Sequence, residues 1–156
     1  GAQVGLLTAT LIGSQAVMSL AWGVLGDRAG HKVVLALAAT CLTCATLVTL
    51  LAPAWQWLML SFVLQGAYFT ADWVSSLNII LEYCESSERP TYIGLTNTLL
   101  ALPVVLAPLV GGWLATLIGF PGLFITATIV AACGTLLMVF WVAEPRHIRN
   151  NAGDNA

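Results

Sequence analysis

Asp72 is the side chain of this chain best suited to chemistry, because it is a carboxylate set in the middle of an otherwise apolar stretch, residues 55–81. Gln65 comes seven residues before it and Ser76 four after, spacings that put all three on one face of a helix. Two further hydrogen-bonding side chains, Gln15 and Asn97, stand in similarly apolar surroundings. Such a set can bind and release a proton at Asp72 and hold a polar solute through the amides, since a carboxylate inside a membrane span marks a substrate or ion path by default. The alternative for Asp72 is a neutral acid hydrogen-bonded to a neighbouring helix. A second cluster, Gly23-Val24-Leu25-Gly26-Asp27-Arg28-Ala29-Gly30-His31-Lys32, puts an acid and two bases between two apolar stretches. There Asp27 can accept from helix-end amides, while Arg28 and Lys32 can face lipid headgroups or a carboxylate. Bond-making chemistry has no such support. Cys41 and Cys44 are spaced C-x-x-C but have no histidine or second pair beside them, so they read as small apolar filler, as do Cys84 and Cys133. His31 and His147 fall in charged returns. No catalytic residue, metal or cofactor is expected.

Helices must position these groups. Of the 156 residues 59% are hydrophobic and 8% charged, against about a quarter charged in soluble domains. Five apolar stretches, 2–26, 33–52, 55–81, 91–118 and 121–143, contain one charge between them, Asp72. Each reaches the roughly 20 residues that a helix needs to cross about 30 Å of hydrocarbon. A β-barrel would alternate apolar and polar residues instead. The expected fold is therefore an all-α membrane protein with five transmembrane helices, a bundle over 1–143 and a polar tail over 144–156. A net charge of −2 without basic clusters excludes nucleic acid as a partner. Gly1 already lies in an apolar run, with no Met or leader before it, so the sequence is expected to be a piece of something longer.

Charge predicts how the spans sit in the bilayer. All five basic residues, Arg28, Lys32, Arg89, Arg146 and Arg149, fall on one face, which the positive-inside rule makes cytoplasmic together with the tail. The other face has two uncharged returns, Leu51–Ala54 and Gly119–Gly122, broken by Pro and Gly. Trp55, Trp57 and Trp113 fall near the external ends, and Trp22, Trp141, Tyr83 and Tyr92 near the cytoplasmic ends, as aromatics at headgroup level do. Asp72 is ten residues from Glu82, about 15 Å in, close to the midplane. Gln15, Gln65, Asp72, Asn78 and Asn97 belong to the first, third and fourth stretches, while the polar side chains of the second and fifth are Thr and Cys. Polar side chains inside lipid turn toward protein or water, so stretches one, three and four are expected to wall a cavity with two and five outside.

The first charged return, with Val33-Val34-Leu35 after it, resembles the signature loop of the major facilitator superfamily, G-x-L-x-D-R-x-G-R-K-x-x-L; His31 stands where the pattern has Arg. Independently of the family, Gly23 permits a close helix approach and Gly30 a tight turn with positive φ. The resemblance implies that Gly23, Asp27, Arg28, Gly30 and Lys32 form a cytoplasmic latch holding one access state, with Asp27 engaging the other half of the transporter. His31 weakens the charge there and could make the loop pH-sensitive. Pro103 to Gly112 is similar, more weakly, to a glycine-and-proline element of drug and proton antiporters, with Pro103 and Ala107 in place of two glycines. Pro108 is expected to kink its helix, and Gly111 and Gly112 to let another helix pack at backbone distance.

Arg89 to Asn97 looks like the start of the family's eleventh helix, so the resemblance implies helices eight to twelve, most of the C-terminal six-helix half; helices two to six of the N-terminal half remain the alternative. In the family, eight, ten and eleven line the cavity. The implied function is a secondary transporter segment moving a small solute by alternating access, proton-coupled, in a plasma or bacterial inner membrane. Its partners would be the lipid bilayer, the unidentified solute and the missing opposing half. Two alternatives are a non-transporting scaffold or truncated remnant, and an intramembrane enzyme; the enzyme would need a second membrane acid or a histidine in a span.

Overall fold

A computed structural model describes residues 1–83 and 88–142, apart from the side chains of residues 76, 77 and 79–83. The described residues form four helices: α1 (Ala2–Ala29), α2 (His31–Leu51), α3 (Trp55–Tyr83) and α4 (Arg89–Phe140). The expected five transmembrane helices of a six-helix half-bundle are not what forms. The last two predicted spans are one 52-residue element, and among the described residues three helices, α1, α2 and α4, are long and apolar enough to cross a membrane. The discrepancy lies in the Gly119–Gly122 segment, where a return was expected. Only Gly119 leaves helical geometry, with φ 72° and ψ 174°. Helix resumes at once because Pro121 sits in the new first turn, where its missing N–H is not needed. The joint is tight: a side chain at Gly122 would come within 2.8 Å of Ile118.

Local chemistry sets the other boundaries. α1 ends at Gly30, whose φ of 95° and ψ of 151° suit glycine and almost nothing else, and whose N–H donates to Gly26 O at 3.0 Å. α2 ends at Ala52, extended at φ −61° and ψ 111° as the residue before a proline tends to be. Pro90 lies in the first turn of α4, where Thr91 and Tyr92 N–H groups donate to Glu88 O.

Hydrogen bonds fix how the helices lie. Ser14 Oγ donates to Val63 O at 2.7 Å and Trp22 Nε1 to Ala67 O at 2.8 Å, so α1 and α3 run in the same direction. Ser61 Oγ donates to Ala45 O at 2.9 Å and His31 Nδ1 lies 3.2 Å from Ser75 Oγ, which together set α2 antiparallel to α3. Thr43 and Thr135 hydroxyls pair at 3.0 Å, and Val139 shares a groove with Lys32 and Val33. The second limb of α4, residues 120–140, is therefore antiparallel to α2 and finishes where α1 meets α2.

The core is built from small residues around one large one: Trp22, Val34, Ala38, Ala67 and Ala71, with Met18, Leu25, Cys41 and Tyr68 packed against them. Small side chains let helix backbones approach and gain dispersion contacts, the main attraction between helices in lipid. The tightest crossing is at Gly66, where an added Cβ would be 2.8 Å from both Leu11 O and Ser14 Cβ. Trp22 is buried in this core, where its indole N–H finds a carbonyl inside the bundle. α2 is packed between α3 and α4 and holds buried His31, Val34, Ala38 and Ala45.

Candidate functional site: a cleft between α1 and α3

Ile12, Gln15, Ala16 and Ser19 recur at helical spacing and give α1 one mixed stripe. Where that stripe meets Phe69, Thr70, Asp72 and Trp73 of α3, an open cleft of about 620 Å³ forms. The cleft stands beside the Gly66 crossing, where α1 and α3 touch. Thr70 Oγ1 donates to Gly66 O at 2.9 Å and lies 3.4 Å from Gln15 O, tying the cleft wall to the crossing. Asp72 is exposed at the cleft rather than sealed between helices, and its carboxylate is within electrostatic reach of Tyr68, one turn back. The wall thus combines one acid, one amide, two hydroxyls and two aromatic rings, a set able to exchange a proton and hydrogen-bond or stack on a solute.

Two of the four candidate binding residues, Gln15 and Asp72, come together here. Gln65 goes elsewhere. Its Nε2 donates to Ser61 Oγ at 3.1 Å, and Ser61 joins Thr49 at 2.6 Å and Ala45 O, a hydroxyl chain fastening α3 to α2. Asn97 is exposed on the first limb of α4, in a run from 97 to 110 that is exposed throughout. The side chain of Ser76 lies outside the described residues. Nothing lies within 4 Å of a Cβ added at Gly111 or Gly112, so no described helix packs there. Pro103 and Pro108 are inside α4, whose one non-helical residue is Gly119.

The charged return is an elbow of a single residue, Gly30. Arg28 is exposed in the last turn of α1, where a cation favours the helix C-terminus, and Asp27 is exposed beside it. Gly23 has open space around it; the close approach is at Gly26, where an added Cβ would be 2.8 Å from the His31 ring. His31, expected in a loop, opens α2 and is 7% exposed, with Nδ1 3.2 Å from the hydroxyl of fully buried Ser75. The imidazole thus links the elbow to α3. Arg146, His147, Arg149 and Cys84 lie outside the described residues.

Residues 1–155 match the profile of the Major Facilitator Superfamily. The chain belongs to that family. It is also 23% identical over 136 residues to the Staphyloferrin B transporter of Staphylococcus aureus (strain NCTC 8325 / PS 47), a stretch covering 87% of this chain and 32% of the relative. The chain therefore spans about a third of the length of that relative. No solved structure matches it. Members of the superfamily are transporters and not enzymes, which removes the intramembrane enzyme, and the chain is a segment of a multi-pass membrane protein.

For this superfamily member, sequence reasoning missed Gly66, Ser75 and Trp22, the residues that hold the cleft and the elbow in place. Gly66 carried a weak signal, standing mid-span beside Gln65 and Ala67. Ser75 carried none, since a serine in a span usually bonds back to its own helix.

Proposed function

We propose that this chain is part of the C-terminal half of a proton-coupled secondary transporter, and that the α1–α3 cleft is its contribution to the solute path. The observation that carries the reading is that Gln15 and Asp72, polar groups from two different helices, share one open cleft. An acid open to a cavity near mid-membrane can take up and release a proton as access changes, which an acid sealed between helices cannot do. The opposing half supplies the rest of the binding site, because transporters of this type bind at the interface between halves and rock one against the other. The basic face is cytoplasmic, and Asp27, Arg28 and Lys32, bent into place at Gly30, form the latch that steadies one access state. Gly111, Gly112 and Asn97, on the exposed limb of α4, are available to pack against, or to face, the parts of the transporter outside this chain.

The test is uptake by the full-length protein in vesicles with an imposed proton gradient, with staphyloferrin B, the cargo in the relative's name, as the first solute assayed. Asp72→Asn is expected to abolish gradient-driven accumulation while solute exchange without a gradient persists. Undiminished accumulation by Asp72→Asn would remove the coupling role.

A further inference from the structure

We propose that the groove between the first half of α2 and the end of α4 is a binding site for an anionic phospholipid, with its phosphate on Lys32 and an acyl chain along the groove. The groove has a volume of about 580 Å³. Its floor is one face of α2, with Lys32 and Val33, then Ala36 and Leu37, then Thr40 on successive turns, and Val139 of α4 forms the facing wall. Among the described residues Lys32 is its charged member, and it sits at the end where α1, α2 and α4 converge. From there the groove runs eight residues, about 12 Å, toward the middle of the membrane, nearly the depth of one leaflet.

Its chemistry changes along that length as a lipid's does. At the mouth, Lys32 is half-exposed and can reach a phosphate with an ammonium on a flexible stem, in the first turn of α2. Below the mouth nothing asks for a polar partner. The one hydroxyl on the floor, Thr40 Oγ1, already donates to Ala36 O at 2.9 Å. Ala36 forms the trough because its methyl leaves room that larger neighbours would fill. A small soluble anion would satisfy Lys32 and leave the trough empty, whereas a lipid with a net negative headgroup fills both parts. With the basic face cytoplasmic, Lys32 also meets the leaflet that carries anionic lipid.

The experiment uses purified, delipidated full-length transporter titrated with phosphatidylglycerol or phosphatidylcholine of the same chain length, with the tightest-bound lipid followed by native mass spectrometry. Phosphatidylglycerol is expected to bind about five-fold more tightly than phosphatidylcholine, the size of one basic residue's attraction to an anionic surface. Lys32→Gln should erase that preference and Lys32→Arg should keep it. Ala36→Phe, which fills the trough without touching a charge, should weaken both lipids alike. Glycerol phosphate, a headgroup without chains, should displace neither. An unchanged preference in Lys32→Gln, unchanged binding in Ala36→Phe, or displacement by glycerol phosphate would each overturn the site.

Discussion

Gly30 and Gly119 are the same backbone joint in two different settings. Both hold a positive φ with an extended ψ, 95° and 151° at the first, 72° and 174° at the second, and both turn one helix into the next through a single residue. At Gly30 the joint is enclosed: His31 folds back over Gly26, its ring is tied to Ser75, and Val34 one turn on is fully buried. At Gly119 the joint holds itself through the contact of Gly122 with Ile118, and the limb before it is exposed from 97 to 110. Glycine makes the corner possible in both places. Whether the corner is locked depends on a third helix, and among the described hydrogen bonds it is the first elbow that is tied to one.

Substituting the two glycines tests this most strongly. Alanine in this region of backbone space is strained by about 1–3 kcal/mol wherever it is placed. At Gly30 the elbow must open to relieve the strain, which pulls His31 from Ser75 and loses roughly another 1 kcal/mol of buried hydrogen bond. At Gly119 the outer limb can swing without breaking a described hydrogen bond to another helix. The thermal midpoint of full-length Gly30→Ala in detergent is expected to fall clearly further than that of Gly119→Ala. Equal shifts would mean that the enclosure around Gly30 contributes nothing.

Ser75→Ala probes the same elbow without touching its backbone. The substitution leaves a buried imidazole nitrogen without its hydroxyl partner, an expected loss of about 1–3 kcal/mol. Ser75→Thr, which keeps the hydroxyl, should recover part of it. A midpoint unchanged in Ser75→Ala would show that His31 finds another partner and that α3 does not hold the elbow.

The two elbows also mark what could be read from the chain. The positive φ at Gly30 and the stop before Pro53 were legible because each follows from the chemistry of one or two adjacent residues. The Gly119 joint was half legible: the same Gly and Pro signals were present, but how many residues a corner uses depends on how closely Gly122 can seat against Ile118, and that is not written in residue type. The cleft was legible to the extent that Gln15 and Asp72 are polar groups in apolar helices, which must turn toward protein or water. Gln65 shows where this reasoning ends. Seven residues from Asp72, it is offset by about 20° around the helix, and its flexible amide reaches back one turn to Ser61 at the α2 interface. Periodicity assigns a face, while the partner waiting on a neighbouring helix decides which way the side chain goes.

The smallest effect expected separates the α2–α4 contact from the α2–α3 contact. Thr135 pairs with Thr43 across α2 and α4 at 3.0 Å, yet each hydroxyl also reaches a carbonyl of its own helix, Ala131 O and Ala39 O. Thr135→Val keeps the shape and removes one hydroxyl, and Thr43 retains its own-helix acceptor, so no buried donor is stranded. Ser61 differs because its hydroxyl is fully buried and serves Ala45 O, Thr49 and Gln65 together. Thr135→Val is therefore expected to lower the thermal midpoint by the equivalent of about 0.5 kcal/mol, and Ser61→Ala by about 1–3 kcal/mol. If the order reversed, the second limb of α4 would be held more firmly than α3, and the enclosed elbow would be on the wrong side of α2.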